Sequence, residues 1–261
     1  MNTFRCRVPS FNLVVSTFLL SLACSTLTNA ALIGSPSPPT ISVTSSISTS
    51  GFQYAPKLKD FATEDPADTS FELKTPSVSD EVLGGTTDIT VQEFEFDPDP
   101  FVLNNILVTN NSGVTQGYSV SVSLPTVFGA PNFISGSLAA SVIDGGADGA
   151  TLSTVGLGIP IYQAQIDFAT VASLLLDPYS LAASPPLPGA VVASFGPLVN
   201  LLPVTSNIRI LLNFNLTAGD TASILSRFDV VAIPEPATLF IAVCGGMGMI
   251  VMARRQVAGR A

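Results

Sequence analysis

The side chains that could do chemistry in this sequence are carboxylates, because little else is offered. Asp144-Gly145-Gly146-Ala147-Asp148-Gly149 sets two aspartates four apart in a glycine-rich turn, and Asp97-Pro98-Asp99-Pro100 presents a second pair. Hard oxygen ligands of this kind can hold calcium. The spacing lacks the alternating ligands and terminal glutamate of an EF-hand loop. Aspartate and glycine also build ordinary turns, since Asp caps its own backbone and Gly accepts positive φ. Calcium at Asp144 and Asp148 and plain turn chemistry therefore both stand as readings, and calcium is the one cofactor that the chain suggests.

Missing residues exclude more than the present ones suggest. There is no histidine, which removes a Ser-His-Asp triad and a His-rich zinc site. The three cysteines are Cys6, Cys24 and Cys244, all near the chain ends, so the central region has neither a thiol nucleophile nor a disulfide. A glycosidase needs only two carboxylates, which composition cannot remove. Such enzymes usually hold sugar rings on aromatic platforms; here there is no tryptophan, four tyrosines (Tyr54, Tyr118, Tyr162, Tyr179), and phenylalanines mostly at core parity. The expectation is a protein that is not an enzyme. A carbohydrate-binding module using Tyr118 or Tyr162 is the alternative, with an extracellular hydrolase behind it.

Charge points the same way. Between residues 31 and 233 five basic residues face eighteen carboxylates, a net −13, and twelve of those carboxylates lie between Asp60 and Asp99. Affinity for phosphate comes from Lys and Arg, so this region would repel nucleic acid and anionic headgroups. The same charge would keep an extracellular β-protein soluble.

The elements that must position these groups are strands. Ile208, Ile210, Leu212, Phe214 and Leu216 share one parity, with Arg209, Asn213 and Asn215 on the other. After Thr217-Ala218-Gly219-Asp220, one parity again holds Ala222, Ile224, Phe228 and Val230, which predicts a β-hairpin. Tyr118, Val120, Val122 and Leu124 alternate with serines, and Tyr162, Ala164, Ile166 and Phe168 alternate likewise. Ile89 and Val91 keep one parity while Phe94 and Phe96 take the other, predicting a bulge near Glu93. "ATVASLLLDPYSL" predicts one short helix stopped before Pro178. Many short strands separated by Gly, Asn and Pro predict an all-β fold, an antiparallel β-sandwich over residues 87–231. Residues 31–86, rich in Ser, Thr, Pro and acid, predict a flexible arm.

Both ends read as membrane-directed. Residues 1–30 have Arg5 and Arg7, an apolar stretch from Phe11 to Ala23, and Thr28-Asn29-Ala30 as a small-residue cleavage site. That is a secretory signal peptide, which implies the Sec export machinery and signal peptidase as partners. At the other end Pro234-Glu235-Pro236 precedes residues 237–252, which carry no charge, and Arg254 and Arg255 follow. Such a run falls a little short of the roughly 20 residues that a bilayer core needs. As a single transmembrane helix it would be stopped by Arg254 and Arg255, which place the tail inside and the domain outside. Pro234 and Pro236 keep the approach extended, because proline lacks the donor that a helix needs and restricts its predecessor. An extended backbone with Glu235 held at the interface is what a processing protease requires; permanent anchoring is the simpler rival.

"IPEPATLFIAVCGGMGMIVMARR" resembles the PEP-CTERM sorting signal of Gram-negative bacteria. The resemblance implies recognition by an exosortase, an integral-membrane transpeptidase-like enzyme, with removal of the tail, in bacteria that make extracellular polysaccharide. It implies that Pro234, Glu235 and Pro236 are the recognition motif and that Arg254 and Arg255 are the membrane stop, although the family's arginine cluster is usually longer. The match covers residues 232–261. "FEFDPDPFVLNNILVTNNSGVTQGYSVSVSLP" also looks like a β-rich ectodomain of several PEP-CTERM proteins, to which no activity attaches. The expectation is an exported protein, held transiently in the inner membrane and then passed to the cell surface or matrix. There it would be structural or adhesive, with exopolysaccharide or biofilm as its setting.

Overall fold

The structure, a computed structural model, describes residues 39–46, 52–55, 61–62, 71–73, 78–82, 86–97, 100–185 and 187–233. The signal peptide and everything from Pro234 onward, including the expected transmembrane helix, lie outside the described residues. Among the described residues no helix is long and apolar enough to cross a membrane.

Period-two sequences become strands throughout. β1 (Thr40–Ser45), β2 (Phe52–Tyr54), β3 (Phe61–Ala62), β4 (Phe71–Leu73) and β5 (Val78–Val82) come first. The long β6 (Thr87–Asp97), β7 (Phe101–Asn110), β8 (Gln116–Pro125) and β9 (Asn132–Ile143) follow. Four shorter strands come next: β10 (Ala150–Ser153), β11 (Tyr162–Ile166), β12 (Ala169–Leu174) and β13 (Ser180–Ala183). The chain then closes with β14 (Gly189–Asn200), β15 (Asn207–Leu216) and β16 (Thr221–Ala232).

Two antiparallel sheets result. The first has the order β12-β11-β15-β8-β1-β2, with β10 bonded to β13 and β15; the second is β14-β9-β16-β7-β6-β4-β3, with β5 also on β6. Their inner faces share one apolar core. Ile208, Ile210, Leu212, Phe214 and Leu216 are fully buried from one sheet, and Ile89, Val91, Phe94, Phe96, Ile224 and Phe228 from the other. Each such side chain contributes about 1.5–3 kcal/mol by leaving water. Polar links cross the core as well: the Tyr162 hydroxyl donates to the Arg227 carbonyl at 2.9 Å, and Tyr118 pairs with the Thr87 hydroxyl at 3.1 Å. The parity switch near Glu93 is a register shift between Val91 and Glu93, as the sequence predicts.

Three expectations are corrected. The hairpin through Thr217–Asp220 does not form: β15 bonds β8, β11 and β10, whereas β16 bonds β7 and β9 in the other sheet. The turn is an arch between sheets. Alternation shows which side chains face inward, and that pattern is the same whether two strands lie side by side or face each other. The predicted short helix is absent, because Ala169–Leu174 is β12, paired with β11. Only two residues, Asp167 and Phe168, separate β11 from β12, both at positive φ (49° and 68°) as a two-residue hairpin turn requires. The turn places the following stretch against β11, and a six-residue helix alone cannot compete. It also takes Phe168 out of the strand alternation and leaves it exposed.

Third, the flexible arm over 31–86 holds a core strand. In β1, Ile41 and Val43 are fully buried and lie opposite Val122 and Val120 of β8. Serine and threonine at the outward positions dilute the apolar signal, which is two residues long. β4 and β5 likewise bond β6, so the paired region extends well before residue 87.

Candidate functional site

The register sorts the connections into two ends. At one end, here the top, lie the arches β7–β8, β9–β10 and β15–β16; at the base lie the β6–β7 hairpin, the β11–β12 turn, the β8–β9 and β14–β15 arches, and the exit of β16.

The top gathers carboxylates. Asp144 and Asp148 come from the β9–β10 arch, and the β15–β16 arch adds Asp220, so that one oxygen from each lies within 4.8 Å of the others. Sequence spacing paired the first two. Asp220 was hidden because its turn read as a hairpin loop rather than as a neighbour of the Asp144 arch. The arches touch through backbone: a Cβ on Gly145 would run into the Gly219 carbonyl.

Each carboxylate except the exposed Asp148 is already engaged. Asp144 accepts from the amides of Gly146 (3.0 Å), Ala147 (2.7 Å) and Gly149 (2.8 Å). Desolvation works to raise its carboxyl, but the amides of Gly149, Ala147, Gly146 and Asp148 together outweigh it and hold it below the ordinary carboxylate range. Fully buried Asp220 accepts from the Thr217 hydroxyl and from the Gly145 amide. Turn closure therefore accounts for these contacts, as aspartate does in loops generally. The expected result is one melting midpoint in millimolar calcium and in chelator. A rise in calcium that Asp148→Asn removes would assign the cluster to the ion instead, since three carboxylates suit calcium chemically.

Of the second acidic pair, Asp97 does not join this cluster. Asp97 ends β6 at the base, and Asp99 lies outside the described residues. Pro234, Glu235 and Pro236, expected to serve sorting, and Arg254 and Arg255, expected to serve as the membrane stop, also lie outside them. What is described is their point of attachment: β16 runs to Ala232, and the next residue, Ile233, donates its amide to the Pro131 carbonyl at 3.2 Å.

A base residue that sequence reasoning passed over is Asp167. It accepts five hydrogen bonds, from the amide and hydroxyl of Thr205, the amide and hydroxyl of Ser206, and the amide of Asn207, at 2.7–3.1 Å. Desolvation pushes its carboxyl upward, yet the bonds from Thr205, Ser206 and Asn207 prevail and hold it well below the ordinary range. A depressed carboxyl stabilises the fold above its unfolded pKa, and the gain is lost as pH falls toward the folded value. Asp167→Asn should cost about 1 kcal/mol at neutral pH, most of the site being wet. The gap from wild type should narrow as pH drops below about 4. Denaturation curves at several pH values measure it.

The tyrosines proposed for sugar stacking are in the core: Tyr118 and Tyr162 are 1% and 0% exposed. Tyr162 packs on Phe195, and burial, with the Asp229 charge adding to it, drives its hydroxyl far above the usual tyrosine range. Neither can offer a ring face to a glycan, so substituting either tests packing. No family model matches this chain, and a search of curated proteins found no match.

Proposed function

We propose that this chain is an exported surface or matrix protein, held briefly in the inner membrane by its C-terminal tail and processed near Pro234-Glu235-Pro236 by an exosortase. The observation that carries the reading is the order of three parts at the C-terminus: the triplet, an uncharged run over residues 237–252, and Arg254 with Arg255. A signal-peptide pattern over residues 1–30 agrees with it. The fold adds a supporting fact, that the last core strand stops at Ala232. The triplet thus follows the domain with one residue between, and there is no long linker.

The domain's own role in this reading is structural or adhesive, within exopolysaccharide, without turnover. Asp144 and Asp220 at the top and Asp167 at the base are committed to loop closure, which suits a scaffold. Calcium at the top cluster is the alternative that the melting comparison above decides.

Intact-mass measurement of protein recovered from producing cells tests the sorting reading. The major wild-type species should lack Arg254 and Arg255, and replacing Pro234, Glu235 and Pro236 with alanine should leave them in place. A major wild-type species that still carries both arginines would make the tail a permanent anchor.

A further inference from the structure

The base of the sandwich has an apolar rim where the chain leaves toward its tail. On the outer face of the second sheet, Val199 of β14, Phe133 of β9 and Val231 of β16 sit side by side in register. Directly beyond β14, Leu201 and Leu202 are 75% and 65% exposed, and Val127 of the β8–β9 arch is 78% exposed. These loops are held in place. The buried Asn132 side chain donates to the carbonyls of Gly129 and Leu202, both at 3.2 Å, and accepts from Asn200 at 3.0 Å. Asn200 also donates to the Leu202 carbonyl at 2.8 Å. Single exposed apolar residues are ordinary on a protein surface, but three adjacent in register with three more on pinned loops at the same end are not.

From this we infer that Val127, Phe133, Val199, Leu201, Leu202 and Val231 form a seat on the lipid–water interface of the membrane that holds the tail. The inference rests on the tail-anchor reading. Chain length carries it further. Four peptide steps separate Ile233 from the uncharged run that starts at residue 237, at most about 14 Å of extended chain. The interfacial zone on one side of a bilayer is itself about 6 Å thick. An anchored domain is therefore drawn base-first against the headgroups, with this rim facing them.

The charges around the exit fit that posture. Arg227 and Asp229, on the outer face of β16, are paired at 2.7 Å, and Arg227 also lies over the Phe101 ring. Asp167 is saturated by loop amides and hydroxyls, and Arg209 sits 5.6 Å from the exposed Phe168 ring. The carboxylate Asp97 lies on β6, on the far side of β7 from β16, so the domain leans on its β14–β9–β16 corner. The three carboxylates at the top point the other way.

The test uses the full chain with Cys6, Cys24 and Cys244 changed to serine, reconstituted in phosphatidylcholine vesicles brominated on the acyl chains. An environment-sensitive fluorophore is placed at Leu202→Cys or, at the top, at Thr115→Cys. The expected result is that the Leu202 label is quenched roughly two-fold while the Thr115 label is unchanged. With the label at Val127→Cys instead, adding L201S and L202S should reduce the quenching; both positions are exposed, so folding is spared. If the chain floats with the vesicles but neither label is quenched, the seat is refuted and the anchor stands. Crosslinking of two chains through Leu202→Cys without quenching gives the rim to a second copy and also refutes it. A chain that does not float refutes the anchor reading, and the seat falls with it.

Discussion

Asn110→Ala should lower the stability of the domain by about 3 kcal/mol, or roughly 10 °C in melting midpoint. Asn110 ends β7, is fully buried, and serves two arches at once. Its side-chain nitrogen donates to the carbonyls of Val114, Leu216 and Thr217 at 2.9–3.0 Å. Its side-chain oxygen accepts from the amide and hydroxyl of Ser112. Removing it takes a donor from three carbonyls. Val114 keeps the Ser112 hydroxyl, but the Leu216 bond is buried and that of Thr217 partly so. A buried group costs far more unpaired than it gained when paired. Asn110→Asp isolates the cause. It keeps the acceptor for Ser112 but turns a carboxylate toward three carbonyls, so at neutral pH it should cost at least as much as alanine. Part of that loss should return on acidification, when a protonated carboxyl can donate once. Equilibrium denaturation measures all of these. A cost for Asn110→Ala no larger than the 0.5 kcal/mol or so of a surface change would show that the arches hold without it.

Gly136→Ala should be nearly as severe, at about 2–3 kcal/mol. Gly136 faces inward on β9 between Phe228 of β16 and Phe195 of β14, its register partners. Tyr162, Phe195 and Phe228 stack over it with ring centroids 6.2 and 6.4 Å apart. A Cβ there would stand 2.5 Å from the Phe195 ring and 2.7 Å from the Tyr162 hydroxyl. To make room, the Phe195 ring must leave the stack or Tyr162 must release the Arg227 carbonyl. Trimming Phe195 to alanine in the same chain should recover part of the loss, so the double variant should be more stable than the two single costs predict. Simple additivity of the two changes would refute the clash.

How far the sequence told this story can be judged from particular residues. Ile208, Ile210, Leu212, Phe214 and Leu216 declared their inward face by period alone, and each is buried. The all-β class followed from such patterns. Sheet membership did not, because a pattern that alternates in two says which face is inside and nothing about which neighbour supplies the hydrogen bonds. That is why Thr217–Asp220 read as a hairpin and why Asp220 was not placed beside Asp144. β1 was missed for a different reason: two apolar residues among hydroxyls give too little periodicity, and only β8 supplies the partner that makes them a strand. Asn110, Asn132 and Gly136 could not be singled out from spacing: the two asparagines matter through bonds across 68–107 residues of chain, and Gly136 through rings brought in by β11, β14 and β16. Pro234-Glu235-Pro236 is the reverse case, a local string that carries the proposed sorting reading with no need of a fold.

Under the proposed export and anchoring, the place of β16 has a consequence for delivery to the periplasm. Among the described residues it is the last strand, yet it lies inside its sheet, bonded to β9 on one side and β7 on the other. A polypeptide crossing a membrane amino end first must therefore wait with those two neighbours unjoined until residue 232 has come through. Completion of the domain and arrival of its hydrophobic terminus in the lipid then fall within moments of each other. A chain cut short before β16 would present two open strand edges to the periplasm, where proteases and like-minded copies are waiting.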